Sequence, residues 1–238
     1  MNDKKYLDFL AKLGISSAHP GGLPLTKTVL DFVQLKSGER ILDVGCGTGE
    51  TSVYLAKHYA SDVVAVDNHP LMIARAKERI QKEAADVELL QANVEHLPLK
   101  NDAFDKVLAE SVTVFTNIEK TLREYHRVLR AEGILIDIEM TSERQLTPEE
   151  EHEIKQVYGI HHVLTEQQWE TAMKQAGFKQ VKIYNGLDFL KYNMEMPSAP
   201  SIDLSQSMDA EAFGVWLSHI KIMDKYHELN YRIYIAHA

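Results

Sequence analysis

Ile41-Leu42-Asp43-Val44-Gly45-Cys46-Gly47-Thr48-Gly49-Glu50 is the stretch that decides the fold. An apolar, strand-like start runs into three closely spaced glycines and then opens a helical pattern. Glycine lets a backbone turn sharply and approach a ligand with no Cβ in the way. The helix N-terminus behind the loop offers unpaired N–H groups and the positive end of a dipole. The dinucleotide fingerprint is Gly-x-Gly-x-x-Gly. Here the spacing is Gly-x-Gly-x-Gly, so the third glycine comes one residue early. A second element strengthens the reading: Ala65-Val66-Asp67 ends the next strand, 22 residues after Gly45. A carboxylate at that place accepts hydrogen bonds from both hydroxyls of a nucleoside ribose. The plainer alternative for Asp67 is a helix N-terminal charge beside Asn68.

Outward from the loop, strands and helices alternate. Apolar runs bounded by turn signals lie at 40–44, 63–66, 87–90, 106–109 and 134–138, with helical patterns at 51–59, 71–84 and 119–129 between them. Within 71–84, Ile73, Ala76, Ile80 and Ala84 share one face. This alternation predicts βαβ units and a mostly parallel sheet. Thr116 with Glu119, Thr147 with Glu150, and Thr165 with Gln168 read as capping boxes. A helix over 167–176 ended by Gly177 leads to a sixth strand at 178–184. Residues 231–236 alternate as a half-buried strand does. Upstream, helices are expected at 6–13 and 26–35, around the turn His19-Pro20-Gly21-Gly22. Between 185 and 230 lie Pro197 and Pro200, then a helical pattern over about 209–227. This stretch holds Met194, Met196, Met208, Met223, Phe189, Tyr192, Phe213, Trp216 and Tyr226. It reads as a lid with an apolar lining, or as an amphipathic helix on the core or a contact between two copies.

Residues 40–184 resemble the class I S-adenosylmethionine-dependent methyltransferases of the small-molecule type. Leu42–Gly49 matches that family's first motif, Gln91-Ala92-Asn93-Val94-Glu95-His96-Leu97-Pro98 its adenine motif, and Phe104-Asp105 and 125–133 its later signatures. The resemblance implies a Rossmann-like α/β fold: a seven-stranded, mostly parallel sheet with helices on both faces and an antiparallel last strand beside 134–138. It implies one domain over 1–238, with a helical cap at 1–36, a cofactor core at 37–184, an insertion at 185–230 and the last strand at 231–238. S-adenosylmethionine is the expected cofactor and S-adenosylhomocysteine the product. The expected cofactor residues are Asp43, Gly45, Cys46, Gly47, Gly49, Asp67, Asn68, Met72, Asn93, Val94, Glu110 and Ser111. Two departures stand out: Ala92 replaces a glycine and Asn93 an aspartate, which leaves a carbonyl acceptor for the adenine amino group but no charge.

The sulfonium is already activated, so positioning supplies up to roughly 7–11 kcal/mol of the barrier reduction. A general base adds about 10²–10⁴-fold where the acceptor must lose a proton. Glu110, at a strand C-terminus where open α/β sheets place ligands, and His19, a residue type suited to proton transfer in the turn before the core, are the candidate catalytic residues. Glu139 is a weaker candidate by the same rule. Base-amine transfer commonly uses Asp/Asn-Pro-Pro-aromatic after the fourth strand, where this chain reads Glu110-Ser111-Val112-Thr113. Cytosine C5 transfer needs a cysteine nucleophile, and the one cysteine, Cys46, sits in the loop. A small-molecule O, N or C acceptor remains, with an RNA or protein methyltransferase, or a non-catalytic cofactor-binding module, as rivals. A nicotinamide dehydrogenase is disfavoured by the glycine spacing.

Composition agrees. The net charge is −9, and 147–155 is mostly acidic, which disfavours nucleic acid and polybasic membrane docking. No apolar run reaches the ~18 residues of a membrane span. A single cysteine suits a reducing, cytoplasmic setting. His152 with His161-His162 does not align ligands on one face, so no metal is expected.

Overall fold

The computed structural model describes residues 5–189 and 209–238. β1 (Arg40–Val44), β2 (Asp62–Asp67), β3 (Val87–Gln91), β4 (Phe104–Glu110), β5 (Leu129–Ser142), β6 (Gln180–Tyr184) and β7 (Leu229–His237) form one sheet. Its order is β3-β2-β1-β4-β5-β7-β6. β1 to β5 pair in parallel, and β7 is antiparallel to both β5 and β6. This is the Rossmann-like sheet that the resemblance implies, down to the last strand beside β5.

Side chains alternate across each strand, and here both faces are apolar. Leu42, Val44, Val64, Val66, Val107 and Leu135 join one core with Tyr125 and Trp169. Ile41, Val63, Leu108, Ile136 and Ile138 join another with Leu25, Leu55 and Phe189. A parallel sheet reads this way because helices cover both faces. Those helices are α1 (Lys5–Lys12), α2 (Gly22–Phe32), α3 (Glu50–Tyr59), α4 (Pro70–Lys82), α5 (Ile118–Val128), α6 (Pro148–Tyr158), α7 (Glu166–Ala176), α8 (Gly186–Phe189) and α9 (Ala210–Lys225). None of the described helices is long and apolar enough to cross a membrane.

Several local expectations are corrected. α5 is capped by Asn117, whose side chain accepts from the Lys120 N–H; Thr116 instead donates to the Thr113 carbonyl at 2.7 Å. The boxes at Thr147 and Thr165 form as expected. On α4 the buried residues are Met72 and Ala76, Ile73 and Ile80 are half-buried, and Ala84 lies exposed beyond the helix. β5 is far longer than 134–138, because β7 continues pairing along it from Ile134 to Ser142. β7 is not half-buried: Ile233 to Ala236 are all enclosed, since the strand runs inside the sheet. α2 begins at Gly22, four residues before Thr26, with Pro24 in the first turn where it removes no needed donor. Of the stretch 185–230 read as a lid, residues 190–208 lie outside the described residues.

Candidate active site

The chain runs outward from β1 to β3 and returns to β4 on the other side of β1. The sheet therefore reverses between β1 and β4, and the crevice at the strand C-termini there is where such sheets take ligands. The glycine loop fills this crevice. Gly45 has φ +63°, and a Cβ on it would lie 2.3 Å from Val112 Cγ2. Gly47 also has positive φ, but its missing Cβ faces open space, the nearest atom being 4.0 Å away. Packing fixes the first glycine; the second leaves a bare backbone surface for a ligand. The loop is sewn to β2 by the Cys46 N–H, which donates to the Val66 carbonyl at 3.0 Å. Cys46 is buried; desolvation, with Asp43 and Asp67 nearby, pushes its thiol well up, so it is inert packing rather than a nucleophile.

Three carboxylates surround the loop. Asp67 accepts the Gly47 N–H at 2.9 Å and the His69 N–H at 2.7 Å, so it ties the loop to the start of α4. Burial raises its pKa and those amides oppose the rise. Asp43, wholly buried on β1, accepts from the Ser52 hydroxyl of α3. Burial, with the negative charge of Glu110 and Asp67 adding, pushes its pKa up to about 8. Glu110 ends β4 and is held from three sides: Thr26 of α2 donates to Oε1, Thr51 of α3 donates to Oε2 at 2.9 Å, and His19 Nε2 lies 3.3 Å from Oε1. His19 is only 6% exposed. Its Nδ1 stands 3.2 Å from the Pro20 carbonyl, which assigns Nδ1 as a donor.

After Glu110 the chain turns sharply. Ser111 carries φ +58°, a conformation a non-glycine residue adopts only when its surroundings enforce it. The enforcement is visible. Ser111 N–H donates to the Ile138 carbonyl at 2.8 Å, and Glu139 Oε1 accepts both the Val112 and Thr113 N–H groups at 2.7 Å. Glu139 is fully buried beside Asp137. Desolvation raises both, Asp137 well above its usual range, while the backbone donors hold Glu139 at about 7. Glu139 thus shapes the 112–115 turn, and through Val112 the glycine loop, from beneath.

The remaining expected residues flank this crevice. Asn68 is exposed and its carbonyl accepts from Gln91; Met72 is buried on α4. Asn93 is exposed, its Oδ1 accepting the Glu95 N–H at 2.9 Å, and Val94 is buried beneath it. The Ala92 N–H donates to the Asp67 carbonyl, joining the 91–98 segment to the end of β2. His152 and His162 bind Gln156 and Glu151 respectively, not one another. Sequence reasoning missed Thr26, Thr51, Ser52 and Val112. Thr51 and Ser52 stand at a helix start, where hydroxyls read as capping groups; Thr26 and Val112 carry no local signal.

A sheet reversed between β1 and β4, a glycine loop with a bare backbone face and an acid closing β2 define a Rossmann-like nucleoside-cofactor enzyme. The comparisons sharpen that class. Residues 42–137 match the family described as a methyltransferase domain. Over 234 residues the chain is 34% identical to the uncharacterized methyltransferase YodH of Bacillus subtilis (strain 168), covering 98% of this chain and 99% of that one. Among solved structures, phosphoethanolamine N-methyltransferase 2 of Haemonchus contortus, in complex with phosphomonomethylethanolamine and S-adenosylhomocysteine, has a TM-score of 0.76 at 19% identity. The match covers 99% of this chain but 57% of that one. Geranyl diphosphate C-methyltransferase of Streptomyces coelicolor A3(2), in complex with Mg²⁺, geranyl diphosphate and S-adenosylhomocysteine, has a TM-score of 0.67 at 16% identity, covering 89% of this chain and 78% of that one. The chain belongs to the class I S-adenosylmethionine-dependent methyltransferases: it is an enzyme, and S-adenosylmethionine is its cofactor.

Proposed function

We propose that this methyltransferase acts on an O, N or C atom of a small molecule by in-line displacement. The observation that carries this reading is the path of α1 across the C-terminal edge of the sheet. From the first turn of α1, Asp8 meets His69, next to Asp67, at 3.2 Å, and Tyr6, two residues earlier, packs on Tyr158 of α6 with ring centroids 4.9 Å apart. In this reading the acceptor is small enough to lie beneath this eight-residue helix. The net charge of −9 further disfavours RNA. The acceptors named for the structural neighbours, a phosphoamine and a prenyl diphosphate, are small molecules too.

When bound, the cofactor supplies an activated methyl group on a cationic sulfonium. The chain's residues fit that charge. Asp43, Asp67 and Glu110 crowd one loop, and their partners are hydroxyls, backbone N–H groups and the His19 ring. A cation relieves their mutual repulsion, whereas a dinucleotide pyrophosphate adds to it. In this reading Gly45, Cys46, Gly47 and Gly49 bear the methionine part and ribose. Asp67 accepts from the ribose with the lone pairs its amides leave. Asn68, Met72, Asn93 and Val94 flank the adenine. Glu110 and Ser111 face the cofactor's amino group. His19, buried and engaged, orients Glu110 rather than deprotonating the acceptor.

Incubation with methyl-labelled S-adenosylmethionine and fractionated cell extract tests the acceptor class. Label should enter the low-molecular-weight fraction; label confined to RNA or protein would overturn the proposal. For a second copy of the chain, α9 offers an exposed row of Phe213, Trp216, Leu217, Ile220 and Met223. A monomer mass by sedimentation would remove that partner. The lone thiol, Cys46, supports a reducing, cytoplasmic setting.

A further inference from the structure

Four rings from four distant parts of the chain meet at the first turn of α1. Tyr6 stacks on Phe115 with centroids 6.1 Å apart and planes 12° apart, meets Tyr158 edge-on, and lies 5.8 Å from His219 of α9. Tyr158 and His219 are also edge-on at 5.7 Å, and the Tyr158 hydroxyl lies 2.8 Å from His219 Nδ1. Tyr158 is buried, while Tyr6, Phe115 and His219 are half-buried, so part of each of those three rings reaches the surface. Its place is fixed by neighbours already described. Phe115 belongs to the turn that begins at Val112, which packs on Gly45. Tyr6 lies two residues from Asp8, which reaches His69 beside Asp67. The cluster is thus linked to the glycine loop through the 112–115 turn and, through Asp8 and His69, to Asp67.

We propose that Tyr6, Phe115, Tyr158 and His219 form the acceptor subsite, that the subsite takes a neutral aromatic bearing a ring hydroxyl, and that His219 is the base that receives the hydroxyl proton. This deepens the small-molecule reading above and rests on it. Aromatic pairs favour stacked and edge-on contacts, so the partly exposed rings of Tyr6 and Phe115 suit a flat ring packed against them. A cationic amine would also be drawn to ring faces, but the same burial that lowers the pKa of His219 penalises a second unpaired charge there. In the transfer the acceptor oxygen's lone pair forms the bond to the methyl carbon. The methyl–sulfur electron pair stays on sulfur, giving the neutral thioether, and the hydroxyl proton goes to the His219 ring. The hydrogen bond to Tyr158 fixes the ring's rotation.

The test uses 2-naphthol as probe on the full-length protein loaded with S-adenosylhomocysteine. Saturable quenching of naphthol fluorescence is expected, weakened about tenfold in Tyr6→Leu, which keeps apolar bulk but removes the ring. With S-adenosylmethionine, labelled methyl should pass to naphthol oxygen. His219→Asn, which retains a partner for Tyr158, should lower kcat by about 10²–10⁴-fold with little change in KM. Calorimetric affinity for S-adenosylhomocysteine should stay within about twofold in both variants, which also verifies folding. The proposal is overturned if wild type binds no naphthol, if alkylamines are methylated and naphthol is not, or if both variants behave as wild type. Failure of S-adenosylhomocysteine to bind wild type would instead strike the cofactor site, and label found only in macromolecules would strike the small-molecule reading.

Discussion

The two walls of the crevice are built on opposite plans. Around the glycine loop, backbone geometry and buried charge do the work: positive φ angles, amides pointed at Asp67, hydroxyls pointed at Asp43 and Glu110. At the first turn of α1, four rings supply shape, and the hydrogen bond between Tyr158 and His219 supplies polarity. The first wall fits one cofactor and tolerates little change. The second is made of side chains whose exchange alters the pocket and spares the backbone, which suits a family that keeps its cofactor across different acceptors.

Substitutions on each wall can break this contrast. The largest effect is expected from Gly45→Val. A left-handed φ and the contact with Val112 should together destabilise the protein by about 2–5 kcal/mol, read by urea unfolding, and abolish cofactor binding. A stable, cofactor-binding variant would show that the loop is not rigid. Asp67→Ala should lose roughly 1.5–3 kcal/mol of cofactor affinity by calorimetry. Asp67 also holds the amides of Gly47 and His69, so Asp67→Asn, which keeps one acceptor, separates loop support from ribose binding. Glu139→Gln keeps one oxygen for the Val112 and Thr113 N–H groups but turns Oε2, which accepts the Val114 N–H at 3.4 Å, into a buried donor facing a donor, and should cost about 1–3 kcal/mol of stability. Its cofactor affinity should fall as well, because Val112 leans on the loop; unchanged affinity would uncouple the 112–115 turn from the site.

The last test concerns pH. Asp43 has its pKa raised to about 8 in the folded state, so its contribution to stability is complete below the ordinary carboxylate range. It is lost as pH rises toward 8, because the unfolded chain releases the proton first. Asp43→Asn should flatten that part of the pH profile of unfolding. A bound cation favours ionised Asp43, so cofactor binding at pH 7 should release up to about one proton in wild type and less in Asp43→Asn. Calorimetry in buffers of different ionisation enthalpy reads this directly.

The contrast also explains what the sequence disclosed. The loop, the acid at position 67 and the β1 boundaries are written in consecutive residues, because a βα turn is local and glycine spacing records it. Glu110 and Ser111 followed from their place after a strand. What holds them did not: Thr26 is 84 residues from Glu110, and Glu139 meets Val112 across a strand pairing that only the folded sheet creates. The ring cluster joins positions 6, 115, 158 and 219, each of which alone reads as an ordinary core aromatic or surface histidine. Thr116 was misread because it and Asn117 are both good caps, and the choice between them was made by the 113–116 turn.

β7 pairs on both sides, with β5 along one edge and β6 along the other, and β5 and β6 are not neighbours. During synthesis β6 leaves the ribosome well before β7, its one partner among the described strands. β1 to β5, by contrast, find their partners as they emerge. The cofactor half can thus assemble early, while the edge of β5 stays open as a template for mispairing until residues 229–237 arrive. The schedule of folding is set by one strand, and chaperone demand should concentrate on the interval between β6 and β7.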